Sequence, residues 1–261
     1  MNSSSPLVWA DLARDVVVVR GADAAQFLHS QLAQDIVDME PGTGRHSLLL
    51  DPTGHVVALL RVVRHADDLF TMDTESGFGQ SVIDRLRRYV LRSDVTMEVS
   101  SWVVRAFRGS GVTEALSDRS GAVPAHWSDA DGLDIVGEAS LLPNVGEPTE
   151  PEHVAMLRVE ARWPAMGVDI LAGDIPATTG VVPVSVSFTK GCYPGQELVE
   201  RMDARGTGAP VQIRVLNREP VAVGSRVTQD GVDVGTVTSM GVTKMLARMA
   251  RSSTLGEPLQ K

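Results

Sequence analysis

Residues 15–20, DVVVVR, form a β-branched run with no polar alternation, the pattern of a strand buried on both faces. Gly21-Ala22-Asp23 follows, and Asp23 is placed to cap a helix on which Phe27, Leu28, Gln31 and Leu32 share one face. Two apolar runs, 46–50 and 55–64, flank Asp51-Pro52-Thr53-Gly54, which has Asp first, Pro second and Gly fourth as a type I turn prefers, so an antiparallel hairpin is predicted. A strand over 69–72 comes next. Val82, Ile83, Leu86, Tyr89 and Val90 then fall at helical spacing, with Arg85, Arg87 and Arg88 largely on the other side, before one strand over 95–107. The pattern predicts an α+β unit.

Residues 109–150 are rich in Gly, Ser, Asp and Pro and predict a variable loop with short strands. A helix is predicted over 152–162, with Val154, Leu157 and Ala161 on one face. Trp163-Pro164 ends it, because the residue before a proline disfavours the helical region. From 210 onward the segments VQIRVL, VAVGSRV and DVGTVTSM, separated by turn residues, predict a small barrel or sandwich. The expected organisation is an N-terminal α+β part at 1–108, a middle α+β part at 109–204 and a C-terminal β-barrel at 205–261.

Composition narrows the function. The 261 residues are 43% hydrophobic, enough for a substantial core. A net charge of −9 and 4% aromatic residues argue against a nucleic-acid partner, which needs basic charge and exposed rings. Residues 201–261 carry nine Lys/Arg against five Asp/Glu, a net +4 that leaves −13 for the rest; we take this as a difference between solvated faces and as support for a boundary near Arg201. One cysteine excludes an intrachain disulfide, an all-thiolate zinc site and a single-chain iron–sulfur cluster. The six histidines nowhere stand at i, i+3 or i, i+4, so no metal site is expected. With no apolar run of membrane-spanning length and no leader-like start, a cytoplasmic protein without a membrane partner is expected. Gly42-Thr43-Gly44 and Gly206-Thr207-Gly208 extend to neither a dinucleotide nor a P-loop fingerprint.

The chemistry concentrates in residues 188–201, FTKGCYPGQELVER. Cys192 sits between two glycines, and Tyr193-Pro194-Gly195-Gln196 has the Pro-second, Gly-third order of a type II turn, so the thiol is expected on a tight, solvent-reachable turn. Lys190 and Arg201 are cations that would favour a thiolate if they point towards it. Glu197 and Arg201 stand at i, i+4 on the helix that follows. A buried structural cysteine is the competing reading of the same residues.

KGCYPGQE resembles the signature of the YgfZ-type folate-binding proteins, relatives of the glycine-cleavage T-protein (aminomethyltransferase). GADAAQFLHSQLAQDI, HSLLLDPTGHVV, RLRRYVLRSDV and LRVEARWPAMGVDI resemble the family's other segments, whereas residues 109–150 show no match. The resemblance implies an aminomethyltransferase-like α+β folate-binding body with a C-terminal β-barrel, and tetrahydrofolate in a central channel. It implies Cys192 and Lys190 as catalytic residues, and Glu160, Arg162, Tyr193, Gln196, Glu197 and Arg201 as cofactor contacts, with the Glu160 carboxylate accepting the paired N–H donors of the pterin. The function implied is an accessory role in iron–sulfur protein maturation or repair within one-carbon metabolism, with iron–sulfur proteins as clients. A folate-dependent methyl or aminomethyl transferase and a noncatalytic folate sensor are the alternatives. One departure weighs against the transferase: aligned on Gly54, the Asp-Asp pair of T-proteins is replaced by Ala58 and Leu59.

Overall fold

Four consecutive valines, Val16 to Val19, are all buried, because the strand that carries them is packed on both faces. The computed structural model describes residues 6–116, 118–119, 121–125, 132–205 and 208–259. The strands are β1 (Val8–Leu12), β2 (Arg14–Arg20), β3 (Gly44–Leu50), β4 (Val56–Ala66), β5 (Leu69–Glu75), β6 (Thr96–Ser100), β7 (Val103–Arg108), β8 (Ala122–Pro124), β9 (Gly132–Gly137), β10 (Glu147–Pro148), β11 (Val211–Asn217), β12 (Arg226–Gln229), β13 (Val232–Met240), β14 (Lys244–Ala250) and β15 (Glu257–Pro258). The helices are α1 (Ala24–Gln31), α2 (Gly79–Arg87), α3 (Val112–Leu116), α4 (Pro151–Glu160), α5 (Pro176–Thr179), α6 (Val182–Ser185) and α7 (Gln196–Arg205).

The described residues form three five-stranded sheets. The first has the order β3-β4-β5-β2-β6, the second β10-β1-β7-β9-β8, and the third β12-β13-β14-β11-β15. The chain crosses between the first two: β1 pairs with β7 in the second sheet, while β2, one residue later, pairs with β5 and β6 in the first. The segment predicted as one strand over 95–107 is therefore two. Trp102 N–H donates to the Ser100 hydroxyl at 3.1 Å where the chain turns from β6 to β7. The loop predicted over 109–150 holds α3, β8, β9 and β10.

Other expectations hold. The hairpin is β3–β4, with Gly54 N–H bonded to the Asp51 carbonyl at 3.0 Å as its turn requires. The helix after Asp23 is α1, but the Asp23 side chain does not cap it and instead accepts from Asp94 N–H at 2.8 Å. α4 begins on Pro151, whose missing N–H is no loss in the first turn.

The C-terminal sheet is open, not a closed barrel: β12 and β15 are its edges. Gln229, at the end of β12, donates to the Thr254 hydroxyl at 2.8 Å and accepts from Ser253 and Thr254 just ahead of β15.

The segment after α4 is fixed to that sheet through Asp169, a fully buried carboxylate. It accepts from Arg158 at 2.9 Å, from Ala165 N–H at 2.9 Å, and from the Thr238 and Ser239 hydroxyls at 2.5 and 2.8 Å. Buried charge persists only when paired and hydrogen-bonded, as here. The result holds α4 and Trp163 against the mouth of the space between the first two sheets.

Candidate functional site

The β3–β4 hairpin reaches two sites, one along its strands and one at its tip. Along the strands, His46, Leu59 and Arg61 face a cavity of about 310 Å³, closed on the far side by Val154, Ala155 and Arg158 of α4 and by Trp163. Alternation along β4 decides which residues look inward. Leu59 faces the cavity, while its neighbour Ala58 packs into the opposite core with Leu28 and Phe70. His46 and Trp163 form an aromatic pair with ring centroids 4.4 Å apart, and Trp163 is 4% exposed.

The polar floor of the cavity is assembled by strand register. Arg61 stands opposite Asp73 across β4–β5, and Arg14 stands opposite Glu75 across β2–β5. Asp73 accepts from Arg61 Nε at 2.9 Å and Arg14 Nε at 2.5 Å, so both its oxygens are engaged. Arg61 also pairs with Asp134 of β9, which accepts from Arg108 at 2.7 Å on its other oxygen. Arg61, Asp73 and Asp134 side chains are 4%, 1% and 1% exposed, so this chain of charges is a dry link between the two sheets. Burial alone pushes the Asp134 carboxyl up, but Arg108 and Arg61 outweigh it and hold it below the ordinary carboxylate value.

At the hairpin tip the tight turn 51–54 packs against the turn carrying Cys192. Gly195 has φ +87° and Gln196 N–H meets the Tyr193 carbonyl at 3.3 Å, the type II geometry the sequence predicts. The two turns touch glycine to glycine: a Cβ on Gly195 would lie 2.5 Å from the Asp51 carbonyl, and one on Gly54 2.8 Å from the Gly195 carbonyl. Cys192 is exposed and borders a groove with Thr53, Tyr193, Gln196, Glu197 and Arg201. Gln196 accepts from Tyr193 N–H at 3.1 Å and donates to Glu200 at 2.7 Å, closing the start of α7. Glu197 and Arg201 form the expected i, i+4 pair at 3.9 Å. Tyr193 is buried beneath the turn, where burial, aided by Glu200, pushes its phenol up to about 12.

The remaining residues singled out from the sequence lie elsewhere. The Lys190 ammonium reaches the end of α1, donating to the Leu32 carbonyl at 2.6 Å and to the His29 carbonyl, and lies 5.0 Å from the Tyr193 ring centroid; burial pushes it down to about 8. It serves as the cap of that helix, in the place where cations suit unpaired carbonyls. Glu160 ends α4 facing the third sheet. It accepts from Thr243 N–H at 2.7 Å, the Thr243 hydroxyl at 2.5 Å and Lys244 N–H at 3.1 Å. Partial burial pushes its carboxyl up, yet these bonds outweigh it and hold it below the ordinary value. Arg162, at φ +58°, pairs with Glu257 at 2.6 Å. Neither Glu160 nor Arg162 lines the cavity.

The cavity residues that sequence reasoning did not single out, Arg14, Arg61, Glu75 and Asp134, carry one signal. Arg61 and Asp134 are single charges inside apolar runs, LLRVV and GLDIVG, which a strand buried on both faces tolerates only with a partner across the sheet. Among the described residues no group of three or more His, Cys, Asp or Glu could hold a metal ion, and no helix is long and apolar enough to cross a membrane.

Comparison with known proteins fits this geometry. The GCVT N-terminal domain family matches residues 15–123. The solved aminomethyltransferase T of the glycine cleavage system from Bartonella henselae superposes with a TM-score of 0.77, at 17% identity, over 98% of this chain and 86% of that one. The fold is therefore aminomethyltransferase-like. A Haemophilus influenzae protein is 26% identical over 81% of this chain and 75% of its own length, and the tRNA-modifying protein YgfZ of Cronobacter sakazakii is 26% identical over 84% and 72%. In sequence and fold the chain is thus similar to YgfZ-type relatives of the glycine-cleavage T-protein.

Proposed function

We propose that this protein binds tetrahydrofolate in the cavity between its first two sheets and acts, through Cys192, as an accessory of iron–sulfur protein maturation or repair in the cytoplasm. The observation that supports binding is the cavity itself. It has apolar and aromatic walls at Leu59, Val154 and Trp163, a few fixed polar groups, and a volume within the ordinary range for small-ligand sites. One carboxylate oxygen, Glu75 Oε2, is buried there with no hydrogen-bond partner, an acceptor suited to a ligand N–H. Bound tetrahydrofolate would supply a carrier for one-carbon units. The chain's own residues supply a half-enclosed pocket, an aromatic wall and, on the turn packed against the tip of the hairpin, a thiol.

Two features support an accessory role over a transferase. The positions where T-proteins carry an Asp-Asp pair hold Ala58 and Leu59, and of the carboxylates on the cavity floor Asp73 and Asp134 have both oxygens bound to guanidinium groups while Glu75 is tied to Arg14 through Oε1. A positioned general base is worth roughly 10²- to 10⁴-fold. The relatives described as tRNA-modifying proteins fit this reading through client enzymes that act on tRNA, since a chain of net charge −9 is poorly suited to a phosphate backbone. The division into parts at 1–108, 109–204 and 205–261 belongs to the same proposal, with the boundary residues 206 and 207 outside those the structure describes.

Cys192→Ser separates the two sites. The cavity and the Cys192 groove share no lining residue, so tetrahydrofolate affinity is expected to stay within about threefold, or ~0.7 kcal/mol, of wild type. Reactivation of an oxidised iron–sulfur enzyme by the protein with tetrahydrofolate is expected to be lost. Full reactivation by the serine variant would remove the thiol from the function.

A further inference from the structure

We infer that Glu75, not Glu160, is the carboxylate that reads the donor edge of the bound pterin; the inference rests on the folate reading above. Glu75 is the last residue of β5 and stands opposite Arg14 of β2. Its Oε1 accepts from Arg14 Nη1 at 2.9 Å, which fixes the carboxylate plane and balances its charge. Its Oε2 is buried and makes no hydrogen bond. Buried acceptors are nearly always satisfied, so an orphan on a cavity wall points to a partner that arrives with the ligand.

The other candidates are already engaged. Asp73 and Asp134 each give both oxygens to arginines, and Glu160 accepts three bonds from Thr243 and Lys244 outside the cavity. Glu152 lines the cavity from the first turn of α4 but is exposed to solvent, so its carboxylate is not a buried orphan. A carboxylate has about four lone-pair sites. After the bond from Arg14, Glu75 can still take two adjacent N–H groups, the ring N–H and the 2-amino group that a pterin presents side by side.

Glu75→Gln keeps size and shape and tests this. If the amide oxygen stays on Arg14, the amide NH₂ faces the ligand's donors; flipped, it faces Arg14. Either orientation sets donor against donor. The experiment is a calorimetric titration of wild type, Glu75→Gln and Glu160→Ala with tetrahydrofolate and with its 2-desamino analogue, which lacks one donor. Wild type is expected to bind the analogue about 10- to 100-fold more weakly than tetrahydrofolate, and Glu75→Gln to bind tetrahydrofolate about 10- to 100-fold more weakly than wild type does. The variant should then distinguish the two ligands by less than about threefold, because the coupling is gone. Glu160→Ala should behave as wild type. Wild type that binds both ligands equally, or Glu75→Gln that discriminates as wild type does, overturns the role of Glu75 while leaving folate binding intact. Wild type that binds no tetrahydrofolate overturns the folate reading itself and this inference with it.

Discussion

Replacing Arg61 by alanine is expected to lower the free energy of unfolding by about 3 to 5 kcal/mol, the usual result of removing one partner from a buried ion pair. Arg61 holds two carboxylates, Asp73 at 2.9 Å and Asp134 on the second sheet, all with side chains at most 4% exposed. Its loss leaves Asp73 with Arg14 alone and Asp134 with Arg108 alone, each with an acceptor oxygen facing a dry cavity floor. The surface pair Arg226–Asp233, with side chains 76% and 47% exposed, provides the contrast: Arg226→Ala is expected to change stability by less than about 1 kcal/mol. Urea unfolding of the three proteins makes the comparison. An Arg61→Ala loss as small as that of Arg226→Ala would mean that the network does not hold the two sheets together. The acid limb follows from the same residues. Since the Asp134 carboxyl is held below its unfolded value near 3.8, its contribution is in place above that pH and is lost as pH falls through the lower folded value.

The second large effect concerns the junction of the two turns. Gly195→Ala is expected to destabilise by about 2 to 4 kcal/mol, from a side chain at φ +87° together with overpacking. The new methyl would lie 2.5 Å from the Asp51 carbonyl and 2.8 Å from Gly54 Cα, and both are backbone, so a rotamer change cannot relieve the contact. The turns must part, and Cys192 moves away from the hairpin tip. Gly191→Ala, whose Cβ would meet nothing within 4 Å, is the control and is expected to be near neutral. Thermal unfolding of both variants checks this; equal midpoints for Gly195→Ala and wild type would show that the turns are not packed as described.

Local chemistry was legible in the sequence where it depends on neighbours along the chain. The turns at 51–54 and 193–196, the helix that stops just before Trp163-Pro164 and the Glu197–Arg201 pair all follow from spacing of a few residues. The cavity did not, because its floor comes from β2, β4, β5 and β9. Nothing within a run such as LFTMDTE reveals that Asp73 lies across from Arg61 and beside Arg14. Glu160 shows the limit of inference by resemblance. Its place at the end of α4 is as expected, but its side chain faces the β13–β14 turn, where Thr243 and Lys244 offer three donors. Lys190 likewise lies two residues from Cys192 in sequence, yet the hydrogen bonds its ammonium makes go to the carbonyls at the end of α1. The break of 95–107 into β6 and β7 was hidden because both halves have strand composition, and only the sheet each joins distinguishes them.

The central claim is that tetrahydrofolate occupies the cavity beside Trp163, and a fluorescence titration of native protein against Trp163→Phe tests it most directly. Trp163 is 4% exposed and packs at a tilt against His46 at the cavity wall, so a pterin entering there must come within contact of the indole. The expected result is saturable quenching with one ligand per chain and a Kd of about 1 μM or tighter, roughly −8 kcal/mol, with the quenched component missing from Trp163→Phe. Saturable binding that leaves Trp163 emission unchanged, or no binding at millimolar tetrahydrofolate, would contradict it.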